Sequence, residues 1–340
     1  MIREAIGRLI ERGDLTEMEM KEVMEEIMEG QATASQISSF LTALRMKGET
    51  VEELKAAAEA MRQRAIRVET PRGEGIVDVV GTGGDGIGTF NVSTASAFVV
   101  SGAGLRVAKH GNRSASSRCG SADVLEALGA KVDLPRQKAE VLIRTGHFCF
   151  LFAPLFHPSM RHAAPVRREI GIRTIFNLLG PISNPAFPSY MLVGVSRRDL
   201  CDVVGEVLLR LGVERAMVVF GMDGMDELTV TGGSYVKELN KGRLEEYMLY
   251  PETVGIRRFP LQELKGGDPA QNAIIMRRIL SGEERGAKRE IVVLNAGSAI
   301  YLAGLAKDIR EGAVIAREVI DSGLALKAME AFIEESKRCS

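Results

Sequence analysis

The sequence predicts an α/β protein: a small all-helical N-terminal unit followed by a larger α/β unit whose mostly parallel central sheet is covered by helices. Three observations predict it. Residues 1–70 carry only helical periodicity, with capping signals at regular spacing. From Ile76 onward, short β-branched runs alternate with helical stretches. The 340 residues, 45% hydrophobic and 26% charged, have the balance of a globular chain long enough to bury a large core without metal or disulfide staples.

Ile2, Ile6, Leu9 and Ile10 share one face of a short helix that Gly13 ends. Thr16 and Glu19 form a capping-box pattern ahead of Met20, Val23, Met24, Ile27 and Met28, and Gly30 is a C-terminal stop. Ser35 can cap a third helix carrying Ile37, Phe40, Leu41 and Leu44, with Gly48 after it. Thr50 and Glu53 repeat the capping box before Leu54, Ala57, Ala58 and Met61. The strand-like runs are 76–80, 105–108, 149–152, 191–195 and 216–220, with more alternating strands at 234–239 and 244–249. The most apolar window, 148–156, reads as a buried strand interrupted by Pro154. The chain turns helical again from about Pro269. The polar, helical stretch 160–177 can pack back on the N-terminal helices. The expected division is therefore 1–70 joined by 160–185, and 71–340.

A net charge of −1 gives no global basic field, so nucleic acid is not an expected partner. Cys119, Cys149, Cys201 and Cys339 have no metal-ligand spacing and read as reduced thiols. The N-terminus lacks the apolar core of a signal peptide, and no apolar run approaches bilayer-spanning length. The expectation is a cytoplasmic protein without membrane contact.

Chemistry concentrates at three loops, each after a strand. The first, GTGGDGIGTFNVST at 81–94, puts five glycines ahead of Asn91, Ser93 and Thr94 at a helix start. Glycines let backbone N–H groups approach a phosphate, and a helix N-terminus adds free donors. Gly81, Gly83 and Gly86 have GxGxxG spacing, but an acid interrupts them and the Walker lysine is absent; a plain glycine-rich turn is the alternative. The second, 109–118, sets Lys109, His110, Gly111, Asn112, Arg113 and several serines at the end of a parallel strand, where open α/β sheets place ligands. The third, GMDGMDELT at 221–229, offers the adjacent carboxylates Asp226 and Glu227, which suit an oxygen-loving cation such as Mg²⁺ shared with a substrate phosphate. His147 reads as structural. His157 and His162 lack helical ligand spacing, although Arg161, Arg167, Arg168 and Arg173 surround them. No nucleophile triad is legible.

The stretches GTGGDGIGTFNVST, KHGNRSASS followed by GSADVLEALG, RHAAPVRREIGIRTIFNLLGPISNP and GMDGMDELT together strongly resemble the anthranilate phosphoribosyltransferase family. The resemblance runs over almost the whole chain, with the motifs in the family's order. It implies a glycosyltransferase of tryptophan biosynthesis that moves the phosphoribosyl group of 5-phospho-α-D-ribose 1-diphosphate (PRPP) onto the amine of anthranilate and releases pyrophosphate. It further implies Mg²⁺, two ions per subunit with substrate bound, and a homodimer formed through the helical domain.

By the same resemblance, PRPP would meet Gly81, Gly84, Asp85, Thr89, Asn91, Val92, Ser93 and Thr94. It would also meet Lys109, His110, Gly111, Asn112, Arg113, Ser114, Ala115, Ser116, Ser117 and Ser121. Ser93, Asp226 and Glu227 would hold metal, and Gly81, Asn112 and Arg167 would meet anthranilate. Lys109 is the expected catalytic charge, His110 a candidate helper, and no protein nucleophile is expected. Arg118-Cys119 and Tyr190 depart from the family's pattern without removing a ligand.

Two rival readings share the architecture. A pyrimidine-nucleoside phosphorylase would use phosphate as nucleophile and need no paired-acid metal site. A non-catalytic nucleic-acid-binding relative should show surplus basic charge and eroded loops. Whether the chain associates with a glutamine amidotransferase is open; no such domain is fused to it.

Overall fold

The structure is a computed structural model that describes residues 1–71, 73, 75–114 and 118–338. Ala115, Ser116, Ser117 and Cys339 lie outside the described residues.

Four helices open the chain: α1 (Ile2–Ile10), α2 (Glu17–Met28), α3 (Ala34–Lys47) and α4 (Val51–Arg64). The capping boxes at Thr16/Glu19 and Thr50/Glu53 both form. The third helix is capped two residues earlier than expected. Thr33, in extended backbone, accepts from the Gln36 N–H and receives the Gln36 side chain in return, so Ser35 falls inside the first turn. Met20, Met24 and Met28 are buried in the bundle core, so most of the methionine stripe is internal packing rather than free surface. Ile10, Met18 and Met46 instead stand exposed; α1 buries only the Ile2, Ala5 and Leu9 stripe.

The sheet has seven strands: β1 (Ile76–Gly81), β2 (Arg106–Gly111), β3 (Phe148–Phe152), β4 (Tyr190–Gly194), β5 (Arg215–Gly221), β6 (Ser234–Asn240) and β7 (Arg243–Leu249). Their order is β3-β2-β1-β4-β5-β6-β7. The first five strands are parallel, and β6 and β7 add an antiparallel edge. Two boundaries differ from expectation by more than one residue. β2 runs on through Lys109, His110 and Gly111, because their backbones pair with Phe150, Leu151 and Phe152 although their side chains are polar. The apolar window 148–156 is strand only to Phe152; a helical turn, Ala153–Phe156, follows because Pro154 has no N–H for the ladder.

Side-chain alternation splits the core. Met191, Val193, Ala216 and Val218 join the bundle's core, while Leu192, Met217 and Val219 face α5 (Val92–Gly102) and the helix Ala287–Leu302. The helices Ala163–Ile170 and Ile175–Ile182 pack on α3 and α4 and bury Val166, Phe176, Leu179 and Ile182 there. Much of the bundle's apolar surface is thus covered from within the chain. Among the described residues, no helix is long and apolar enough to cross a membrane.

β1 sits between β2 and β4, so the chain leaves it toward β2 and later returns on its other side as β4. The crevice beyond the carboxyl end of such a strand is where open α/β sheets bind ligands.

Candidate active site

β1, β2, β4 and β5 each end in glycine: Gly81, Gly111, Gly194 and Gly221. The close approach at two of them builds the site. A Cβ on Gly194 would lie 1.6 Å from the Asp226 carbonyl oxygen, and one on Gly81 would lie 2.4 Å from Asp226 Oδ2. Only glycine lets the acidic loop fold across the ends of β1 and β4. That fold brings Asp226 to the first glycine loop, where its Oδ2 accepts the Gly83 N–H at 2.6 Å.

The acidic loop is braced from behind. Asp223 accepts hydrogen bonds from the hydroxyls of Thr229 and Thr231, each at 2.6 Å. Buried Asn295 clamps the Leu228 backbone, accepting its N–H at 3.1 Å and donating to its carbonyl at 2.9 Å. Asp223 therefore shapes the turn, and Asp226 and Glu227 are left facing the crevice.

Lys109 is buried at the end of β2. Its Nζ donates to the Val79 carbonyl at 2.6 Å and to Ser93 Oγ at 3.3 Å. Burial pushes its pKa down, and Asp78 and Glu227 pull the other way. Burial and the nearby Asp85 push Asp226 up to about 7. Burial and Asp226 raise Glu227 well above the carboxylate range, with Lys109 opposing. Two buried acids beside a third, Asp85, with one lysine between them lack a balancing charge. Together with the Ser93 hydroxyl they form a hard-oxygen donor set, and buried Thr94 Oγ1 has no hydrogen-bond partner among the described residues. Such a set fits Mg²⁺, which takes one or two carboxylates and completes its shell with water and phosphate.

Asp78, under Lys109, is pushed up to about 6 by burial and accepts from Asn184 Nδ2 at 2.8 Å; the same amide also reaches the Ala108 carbonyl at 2.7 Å. His110 Nδ1 lies 3.0 Å from the Gly180 carbonyl, and its ring is 5.1 Å from that of His157. Burial and His157 push His110 down to about 3, and burial pushes His157 down to about 4. A neutral His110 that donates through Nδ1 is no general acid near pH 7.

This pair has a stability consequence. An unfolded histidine binds its proton near pH 6.5 and the folded pair does not, so acidification below that point favours unfolding. Between pH 7 and pH 5, His157→Gln should lose about 2 kcal/mol less unfolding free energy than the native chain. Urea titrations at the two pH values check this; equal losses would contradict the buried neutral pair.

The other expected ligands divide. Thr89 bridges to Lys265, and Val92 is buried behind the loop. Asn112 Oδ1 accepts the Arg113 N–H at 2.7 Å, and its carbonyl accepts Ser121 Oγ at 3.3 Å. Arg113 is turned away, paired with Glu126 at 2.6 Å and packed over Phe152. The Ser114 N–H is held by Asp123 at 2.9 Å. Arg167 is half-buried on the helix Ala163–Ile170, with its guanidinium carbon 5.1 Å from the Phe176 ring centroid. Burial lowers its pKa, and it makes no ion pair among the described residues. Its neighbour Arg168 is exposed. Arg173, given no role from the sequence, has Nε 3.0 Å from where a Gly84 Cβ would stand and donates to Ser196 Oγ at 2.7 Å. It lines a narrow cleft with Arg45, Thr82, Gly83, Asn177 and Arg197. Of the two departures, buried Cys119 has its thiol pushed up to about 11 by burial, and Tyr190 starts β4, at the opposite end of that strand from the crevice.

Known proteins are similar to this chain in sequence and fold. Residues 3–65 match the family model "glycosyl transferase family, helical bundle domain", and 73–326 match "glycosyl transferase family, a/b domain". The anthranilate phosphoribosyltransferase of Citrifermentans bemidjiense is 51% identical over 98% of this chain and 98% of its own. The chain belongs to the anthranilate phosphoribosyltransferase family. The family's enzyme from Dehalococcoides mccartyi is 48% identical, covering 99% of this chain and 98% of its own. Among solved structures, anthranilate phosphoribosyltransferase from Thermus thermophilus matches with a TM-score of 0.92 at 44% identity, over 98% of this chain and 99% of that one. The Saccharomyces cerevisiae enzyme in complex with PRPP and Mg matches with a TM-score of 0.90 at 28% identity, over 99% of this chain and 98% of that one.

Proposed function

We propose that this crevice transfers the phosphoribosyl group of PRPP to the amine of anthranilate, giving N-(5-phosphoribosyl)anthranilate and pyrophosphate in tryptophan biosynthesis. The observation that carries the reading is the convergence of Asp226, Glu227, Ser93 and Lys109 on the glycine loop at the end of β1. A phosphorylase using inorganic phosphate would have no need of two uncompensated acids there.

Asp226, Glu227 and Ser93 would hold Mg²⁺, with two ions per subunit when substrate is bound. Bound Mg²⁺ supplies charge stabilisation to the departing diphosphate. Lys109 holds a fixed positive charge between the β1 backbone and Ser93, on the same leaving group. The glycine loop and the start of α5 orient PRPP through Gly81, Gly84, Asp85, Thr89, Asn91, Val92, Ser93 and Thr94. Loop residues 111–117 and Ser121 hold phosphate and ribose. The amine lone pair forms the new bond to the anomeric carbon while the carbon–oxygen bond to diphosphate breaks, the electron pair leaves with diphosphate, and the nitrogen then loses a proton. An aromatic amine is neutral at pH 7, so placement supplies much of the rate. His110, neutral and tied to Gly180, orients the crevice wall rather than donating a proton.

Arg167 would receive the anthranilate carboxylate, with Gly81 and Asn112 beside the reacting amine. A half-buried arginine that makes no ion pair among the described residues suits a planar carboxylate. Arg167→Ala should raise the anthranilate KM by ten- to a hundredfold, the equivalent of about 1.5–3 kcal/mol for a hydrogen bond to a charged group. The PRPP KM should move little, and Arg168→Ala should be near neutral. Normal anthranilate saturation in Arg167→Ala would contradict the acceptor site. Phosphorolysis of pyrimidine nucleosides by the native chain would favour the rival enzyme.

We further propose a cytoplasmic homodimer built through the bundle, where Ile10, Met18 and Met46 remain exposed, with 1–70 and 160–185 moving as one domain against the rest. Light scattering of the active enzyme at micromolar concentration should give twice the chain mass; a monomer there would refute it.

A further inference from the structure

Asn91 stands at the N-cap position of α5, yet its side chain makes no capping bond to that helix. It is held elsewhere. Asn91 Nδ2 donates to the Cys119 carbonyl at 3.1 Å, and Asn91 Oδ1 accepts from Asn272 Nδ2 at 3.1 Å. Asn272 Oδ1 in turn accepts the Gly267 N–H at 2.8 Å. Asn272 is buried in the first turn of the helix Pro269–Leu280, 181 residues along the chain from Asn91.

The two ends of this relay remove the usual ambiguity of amide orientation. A backbone N–H only donates, so the Asn272 atom facing Gly267 is oxygen and its nitrogen faces Asn91. A backbone carbonyl only accepts, so the Asn91 atom facing Cys119 is nitrogen and its oxygen faces Asn272. Both amides are therefore locked in one flip. The Asn91 amide nitrogen carries two hydrogens, and Cys119 takes one.

The same segment braces the glycine loop. The Gly266 N–H donates to the Gly88 carbonyl at 3.0 Å, Thr89 and Lys265 form an antiparallel bridge, and Lys265 Nζ reaches the Ile87 carbonyl. A Cβ on Gly266 would lie 2.6 Å from the Phe90 backbone, so the segment lies directly against the loop.

We propose that Asn272 is a positioning residue for PRPP: it fixes the Asn91 amide so that its second N–H, not its carbonyl oxygen, faces the acceptor oxygens of the substrate. The inference rests on the reading that Asn91 meets PRPP. A flipped Asn91 would aim a carbonyl dipole at the ionised phosphate or diphosphate oxygens, which only accept.

The test is steady-state kinetics on the full-length chain, with anthranilate and PRPP varied separately and thermal unfolding measured in parallel. Asn272→Asp keeps the size and the acceptor for Gly267 but cannot donate to Asn91. It should raise the PRPP KM about tenfold and leave the anthranilate KM within about twofold. Asn272→Ala, which only frees the flip, should give the same ordering with a rise of about threefold. In an Asn91→Ala background, either Asn272 change should add less than about twofold, since the group it orients is gone. If PRPP saturation is unchanged in both Asn272 variants, or if a lower Tm comes without a KM split, Asn272 is only structural and the proposal is overturned. If the two sites multiply in the double variant, the relay is overturned as well. Loss of PRPP-dependent turnover in the native chain would instead refute the reading of the site.

Discussion

Replacing Asp226 by Asn and Glu227 by Gln together is expected to lower turnover by about a thousandfold or more, the equivalent of about 4 kcal/mol of leaving-group stabilisation. The fold should survive and gain stability. Both acids have pKa values raised by burial and by their acidic neighbours, Asp85 for Asp226 and Asp226 for Glu227. The folded state therefore holds protons that the unfolded chain has already released, and it loses stability as pH rises toward and through about 7. Neutral amides remove that penalty, so the double variant should melt above the native chain at pH 8 in the absence of Mg²⁺. Added Mg²⁺ should stabilise the native chain and leave the variant unchanged. Native Mg²⁺ dependence in the variant would remove these residues from the metal site, and a lower melting temperature at pH 8 would contradict the electrostatic account.

Lys109→Met should damage both stability and rate. The Nζ ammonium is the buried cation that opposes the charges of Asp78 and Glu227. Removing one partner of a buried charge set typically costs about 3–5 kcal/mol. The loss should be largest at pH 8, where the two acids are most readily ionised, and should shrink toward pH 6, where protons replace the missing cation. Turnover should fall by about a hundred- to a thousandfold, as for removal of one fixed donor from a developing anion. The defect should lie in kcat and in the PRPP KM, with anthranilate saturation nearly native. Urea unfolding at both pH values and two-substrate kinetics check these points. A defect confined to the anthranilate KM, or equal destabilisation at pH 6 and pH 8, would contradict the placement of Lys109.

The acids and the lysine are legible in the sequence because each sits just beyond an apolar run and two or three residues from a glycine, a local pattern with a local cause. The strand that carries Lys109 reads short in the sequence for the same local reason. A lysine, a histidine and a glycine do not read as strand, yet their backbones pair with Phe150, Leu151 and Phe152. Thr33 and Ser35 both offer a capping hydroxyl in the sequence, and only the Gln36 side chain decides between them. The supporting asparagines left no signal. Asn184 reaches Asp78 across 106 residues, Asn272 reaches Asn91 across 181, and Asn295 reaches Leu228 across 67. Their partners are set by topology, which no spacing rule reports. Five residues from His162, His157 gives no signal in the sequence; its ring neighbour is His110, on β2. Helical spacing alone leaves open whether a methionine face is core or surface; Met20, Met24 and Met28 pack inside the bundle, and Met18 stands exposed.

The central claim is that one crevice couples a diphosphate-leaving sugar to an aromatic amine with Mg²⁺. It is tested most directly by following the fluorescence of anthranilate with the purified chain. The account predicts consumption only when PRPP and Mg²⁺ are both present, stoichiometric pyrophosphate release, and loss of the signal change in the Asp226→Asn, Glu227→Gln double variant. Anthranilate consumption that persists without Mg²⁺ or without PRPP, or none when both are supplied, would contradict it.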